Sequence, residues 1–198
     1  MTRRGQPAPR LRLSGMLGML AEHEVRYAIV GGVGARLQGT PYVTGDLDIV
    51  PDPDPANLDR LARALSSEVT MKKHADSTDY LPHPVVRREE FFAEYFAMYQ
   101  TPHGPLDVLI ELPGVGPFDA IMRSARRYDL AGYGLSIYVA SLEDIIRSKE
   151  TAGRTKDLIL LPILYEAADQ LAREPDDYAL SVEALEVDLP PQGSEEQG

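Results

Sequence analysis

The sequence contains no cysteine and no tryptophan. Without thiols there can be no disulfide, iron–sulfur cluster, thiolate zinc site or cysteine nucleophile, a composition that suits a reducing, cytoplasmic setting. Aromatic residues make up only 7% of the chain. No run reaches the roughly 20 apolar residues of a membrane-spanning helix, so no membrane association is expected. The N-terminal MTRRGQPAPRLR carries arginines without the apolar stretch of a secretory signal. No internal repeat of solenoid length is visible. Basic residues are missing from one region altogether: residues 174–198 hold eight acids and neither lysine nor arginine.

What is present is 198 residues with 43% hydrophobic side chains, enough for one domain with a real core. The net charge of -11 argues at first against a polyanionic ligand. Most of it belongs to the acidic tail, however, and residues 1–173 carry only -3. The bases of this body are grouped: Arg3/Arg4/Arg10/Arg12, Lys72/Lys73, Arg87/Arg88, Arg123/Arg126/Arg127 and Arg147/Lys149/Arg154/Lys156. Any one such group can be no more than a solvated face.

Apolar spacing predicts helices over residues 11–24, 33–37, 57–65, 118–126, 141–152 and 158–171. Strands are predicted at 27–30, 46–50, 96–100, 106–112 and 136–139, with a hairpin turn at 101–105 and a loop at PDPDP, 51–55. Ser141 with Asp144 forms a capping box variant that opens one helix, and Gly153 should stop it. Pro162 should kink the last helix or mark its first turn. Interleaved elements imply an α/β (α+β) fold with one mixed sheet flanked by helices. The expected organisation is a core over 1–140, a helical C-terminal part of the same domain over 141–173, and a disordered acidic tail over 174–198.

Asp46 and Asp48, two apart on a strand, share a face. They are either solubilising residues on an exposed edge or a pair of hard oxygen ligands for Mg²⁺ or Mn²⁺. Asp107 stands in an otherwise apolar strand, where a charge is costly without a partner. It marks a hairpin edge or completes a three-carboxylate metal site. Gly31-Gly32 leaves a strand and enters a helix, as a plain turn or as a close approach to phosphate. It is neither a Walker A loop nor a Rossmann glycine pattern. Lys149 falls on the apolar stripe Leu142, Ile145, Ile146, so it either snorkels outward or points into a polar cleft. Asp157 is a helix N-terminal acid or a partner that orients Lys149. His23, His74, His83 and His103 are scattered and suggest no metal site. Phe91, Phe92, Tyr95 and Phe96 either pack in the core or stack bases.

In this order, Gly31-Gly32, Thr44-Gly45-Asp46-Leu47-Asp48, the strand at Asp107 and SLEDIIRSKETAGRTKD at 141–157 resemble the nucleotidyltransferase superfamily of DNA polymerase β, in particular its AbiEii/MenT-like toxin branch. The resemblance spans about residues 11–170. It implies a polymerase β-like fold and a pyrophosphate-releasing transfer from a nucleoside triphosphate. Asp46, Asp48 and Asp107 would hold metal, and Gly31, Gly32, Thr44, Lys149 and Arg154 would bind nucleotide. Lys149 and Asp157 would join the carboxylates in catalysis. The branch further implies a tRNA 3′ end as acceptor, blocked translation and a cognate antitoxin encoded nearby. Thr44 corresponds to a hydroxyl that an antitoxin can phosphorylate. Relatives carry Arg-x-Thr before D-x-D where this chain has Tyr42-Val43-Thr44, so that basic contact is missing or comes from Arg36 or Arg154. Two other acceptors fit the same chemistry. One is an aminoglycoside, with Glu89, Glu90 and Glu94 as its acidic pocket, and the other is a protein that becomes AMPylated. A degenerate, non-enzymatic transferase is the remaining reading.

Overall fold

The computed structural model describes residues 10–41, 44–68, 70–73, 79–93, 95–130 and 134–173. The tail at 174–198, Arg3, Arg4, Tyr42, Val43, His74 and Glu94 therefore lie outside the described residues.

The chain runs α1 (Leu13–Glu22), β1 (Tyr27–Val30), α2 (Gly31–Arg36), β2 (Leu47–Pro51), α3 (Pro55–Ser67), β3 (Met71–Lys73) and β4 (Tyr80–Pro82). A 3₁₀ turn at Arg88–Phe92 then leads into β5 (Phe96–Thr101), β6 (Gly104–Leu109), α4 (Phe118–Ile121), β7 (Arg126–Leu130), β8 (Leu135–Val139), α5 (Leu142–Ala152) and α6 (Thr155–Arg173). The strands form one eight-stranded mixed sheet in the order β4-β3-β5-β6-β2-β1-β8-β7. Only the β2–β6 and β1–β8 joints are parallel.

Side-chain alternation splits the core into two layers. Ile29, Leu47, Ile49, Tyr99, Leu106 and Val108 turn to one face and pack beneath α1 and α3. Ala28, Val30 and Val50 turn to the other, beneath α4, α5 and α6. The second layer covers the middle of the sheet only, and β3, β4 and β5 contribute nothing to it.

Local chemistry explains most element ends. Asp54 caps α3 by accepting from the Asn57 amide at 3.1 Å, and Pro55 occupies the first turn, where it has no N–H to waste. Pro51 closes β2, so the PDPDP loop is shorter than its prolines suggest. Ser141 caps α5 through the Asp144 amide, and Gly153 ends that helix at φ 60°. Pro162 sits inside α6 rather than in its first turn.

Several expectations need correction. The helix expected at 118–126 covers only Phe118–Ile121, because Arg126–Leu130 pairs with β8 from Arg126↔Val139 to Leu130↔Leu135. Pairing with a hairpin partner outweighs the helical bias of Ala and Arg. The strand at 106–112 is shifted to Gly104–Leu109, since the hairpin turn narrows to Pro102-His103 and Thr101 pairs directly with Gly104. Asp46 lies in the bend before β2, not on it. Strands β3 and β4 had no counterpart in the sequence reading.

Candidate active site

The sheet register builds the site. Asp48 on β2 is the cross-strand partner of Asp107 on β6 and of Val30 on β1. In-register neighbours project to the same face, and Asp46 curls in from the preceding bend. As a result, one carboxylate oxygen from each of Asp46, Asp48 and Asp107 lies within 4.8 Å of the others. The Thr44 hydroxyl donates a short hydrogen bond to Asp46.

The Gly31-Gly32 pair is dictated by this cluster. Gly31 has φ +63°, and a β-carbon there would lie 2.0 Å from the Asp48 carboxylate oxygen. No other residue type leaves room for the carboxylate. The Gly32 amide donates to Asp48 and favours its ionised form. The glycines therefore position a ligand carboxylate as well as lining the cleft.

Electrostatically the cluster is under strain. Burial, then the charges of Asp46 and Asp107, push the Asp48 carboxyl up to about 8. Burial and Asp46 push Asp107 up to about 7, against the opposing charges of Lys156 and Lys73. With Asp48 and Asp107 both resisting ionisation, the three oxygen donors form a set that a hard divalent cation would relieve. The residues fit Mg²⁺ or Mn²⁺.

The opposite wall comes from α5 and α6. Lys149 points into the cleft rather than outward, and its side chain is 12% exposed. Its Nζ donates to Asp157 Oδ1 at 3.1 Å, while Arg154 Nε donates to Oδ2 at 2.5 Å. Asp157 is 2% exposed on its side chain. Burial alone would raise its pKa, but the bonds and charges of Arg154 and Lys149 outweigh burial and hold it low. Asp157 thus orients the two cations that face the carboxylates. The cleft between these walls has a volume of about 270 Å³.

All nine residues singled out from the sequence line this cleft: Gly31, Gly32, Thr44, Asp46, Asp48, Asp107, Lys149, Arg154 and Asp157. Of the two arginines considered as phosphate contacts, Arg154 lines it and Arg36 does not. Sequence reasoning did not single out Lys156, which also lines it, although its basic group was visible. Tyr95 and Phe96 line the cleft at 47% and 45% exposure, so they are not core residues, whereas Phe91 is buried. Two of the acids considered for a cationic acceptor are engaged within the protein. Glu90 bonds Lys72 and His83, and Glu89 pairs with Arg88. No described helix is long and apolar enough to cross a membrane.

Comparison with known proteins yields fold-level likeness only. No family model matches the chain, and no curated protein matches it. Several solved structures resemble it, two of which illustrate the likeness. One is a candidate nucleotidyltransferase from Thermotoga maritima, with 17% identity and a TM-score of 0.44, covering 80% of this chain and 96% of its own. The other is an antigenic nucleotidyltransferase-like protein from Paracoccidioides brasiliensis, with 18% identity and a TM-score of 0.39, covering 87% and 94%. At such scores the chemistry of the site rests on its own geometry.

Proposed function

We propose that the chain is a divalent-metal-dependent nucleotidyltransferase that moves a nucleotide from a nucleoside triphosphate to the 3′-hydroxyl of an RNA. The supporting observation is one cleft in which three converging carboxylates face Lys149 and Arg154, both fixed by Asp157.

Asp46, Asp48 and Asp107 would hold the cation. When bound, it neutralises them, polarises the α-phosphoryl group and eases ionisation of the attacking hydroxyl. Lys149 and Arg154 bind the triphosphate oxygens and offset the charge of departing pyrophosphate. Asp107 would alternatively serve as the base that accepts the hydroxyl proton. The acceptor oxygen forms its bond to the α-phosphorus as the bond from that phosphorus to the bridging oxygen breaks. Pyrophosphate carries away the electron pair.

The family resemblance supports the finer reading: tRNA as acceptor, arrested translation in the cytoplasm, an antitoxin encoded nearby, and Thr44 as the hydroxyl that a phosphorylating antitoxin would modify. A phosphate there would stand beside Asp46 and repel the cluster. Expression should arrest growth, and Asp48→Ala should restore it. Incubation with labelled triphosphates and total RNA should place label on tRNA. Label on protein or on a small molecule would overturn the acceptor, and no label in any fraction would overturn the activity.

A further inference from the structure

The carboxylates belong to a longer cross-sheet row. Asp107 pairs with Met98, Met98 with Lys73, and Lys73 with Tyr80. Register partners share a face, so Lys73 and Tyr80 stand on the carboxylate face, beyond Asp107 and on the side away from Lys149. Two strand spacings of about 4.8 Å put Lys73 about 10 Å from Asp107, with a flexible four-carbon stem to shorten the gap. The adjacent Lys72 turns to the opposite face, where it is 4% exposed and bonds Glu90 at 3.3 Å. One lysine therefore serves the core and the other faces the site.

Along this row Lys73, Met98 and Tyr80 are half-buried. The layer beneath α4–α6 ends at β6, and Phe96, in register with Leu109 at the cleft edge, is 45% exposed. Charge reaches across the floor as well: Lys73 and Lys156 both act on Asp107, and the Tyr80 phenol feels Asp107 and Asp46.

We propose that this floor carries the acceptor strand, with Lys73 on the phosphodiester just 5′ of the reacting hydroxyl and the rings of Tyr80 and Phe96 beneath its terminal bases. The inference rests on the nucleotidyl-transfer reading and adds the residues that would hold the acceptor strand. A cation beyond Asp107 attracts a polyanion, repels a cationic aminoglycoside and gives a neutral peptide hydroxyl nothing. The Phe96 ring, exposed at the cleft mouth, and the half-buried Tyr80 ring beyond it suit unstacked bases, each worth about 1–3 kcal/mol elsewhere.

The test is fluorescence anisotropy of a 5′-labelled single-stranded RNA on the full chain with Mg²⁺, beside the affinity for a fluorescent triphosphate. Lys73→Glu should weaken RNA binding about tenfold or more and lower the salt slope by about 1, as loss of one phosphate contact does. Triphosphate affinity should hold within about twofold, as expected for a residue outside the donor site. Lys73→Arg should restore RNA binding, and Tyr80→Ala should weaken it severalfold. If Lys73→Glu misfolds, Lys73→Gln with an unchanged unfolding transition gives the same reading. RNA binding indifferent to Lys73, equal loss of both affinities, or no RNA binding by the wild type would overturn the inference. Label transfer is scored separately. Strand binding without transfer would defeat the transfer reading, whereas transfer with Lys73-indifferent binding would defeat this one.

Discussion

Asp48 shows how a functional residue weakens the fold that holds it. Its carboxyl is pushed up to about 8 by burial, Asp46 and Asp107, from 3.8. Between those values the folded chain binds more protons than the unfolded one, so metal-free stability must fall as pH rises from about 4 to about 8. Asp48→Asn removes the penalty. The metal-free variant should gain on the order of 2 kcal/mol at pH 8, and transfer should drop about a thousandfold. Urea unfolding across pH checks the first effect and an activity assay the second. Mg²⁺ should stabilise the wild type more at pH 8 than at pH 5, since protons compete for its ligands. Gly31→Ala tests the same contact from the backbone. Its β-carbon would meet Asp48 at 2.0 Å in a left-handed conformation, so about 1–2 kcal/mol of stability should be lost. Transfer should fall with it.

At the scale of elements, Asp157 ties α5 to α6 through Lys149 and Arg154. Asp157→Ala would leave the largely buried Lys149 ammonium without this carboxylate and should cost about 3 kcal/mol. The pKa of Asp157 is lowered, so its contribution is present above the unfolded carboxylate pKa and is lost as pH falls through the lower folded value. The wild-type advantage over Asp157→Ala should therefore shrink in acid, as paired unfolding curves would show. This helix pair was legible in the sequence. The Ser141 cap, the Gly153 stop and a lysine on an apolar stripe are local signals, and each left a single physical alternative to decide. The D-x-D spacing and the lone acid of the Asp107 strand were legible for the same reason. The three-residue strand Met71–Lys73 was not, because its existence depends on pairing with Tyr99 and its neighbours some 27 residues later. The strand Arg126–Leu130 was lost to a helical reading because its partner β8 decides its conformation. Lys73 and Lys156 were seen as members of basic groups, but only the register and the cleft reveal which carboxylate they face.

Over the whole molecule, charge is divided unevenly between the body and the tail. Residues 174–198 carry eight of the acids and none of the bases. Their removal takes the net charge from -11 to -3, which should strengthen RNA binding at low ionic strength and matter less in high salt. Transfer to a small nucleoside acceptor should be unchanged, because every described residue that lines the cleft precedes the tail. Affinity measured in a salt series for the full and truncated chains checks this directly.

The central claim is that Asp46, Asp48 and Asp107 hold a divalent ion that supports nucleotide transfer. Its most direct test is extension of a purified tRNA by the wild type and by Asp48→Asn, followed over a Mg²⁺ titration. The account predicts 3′-terminal addition with equimolar pyrophosphate in the wild type, saturating with Mg²⁺ and abolished by chelation, and no extension in the variant. Extension that survives chelation or the loss of Asp48, or no extension by the wild type at any Mg²⁺ concentration, would contradict it.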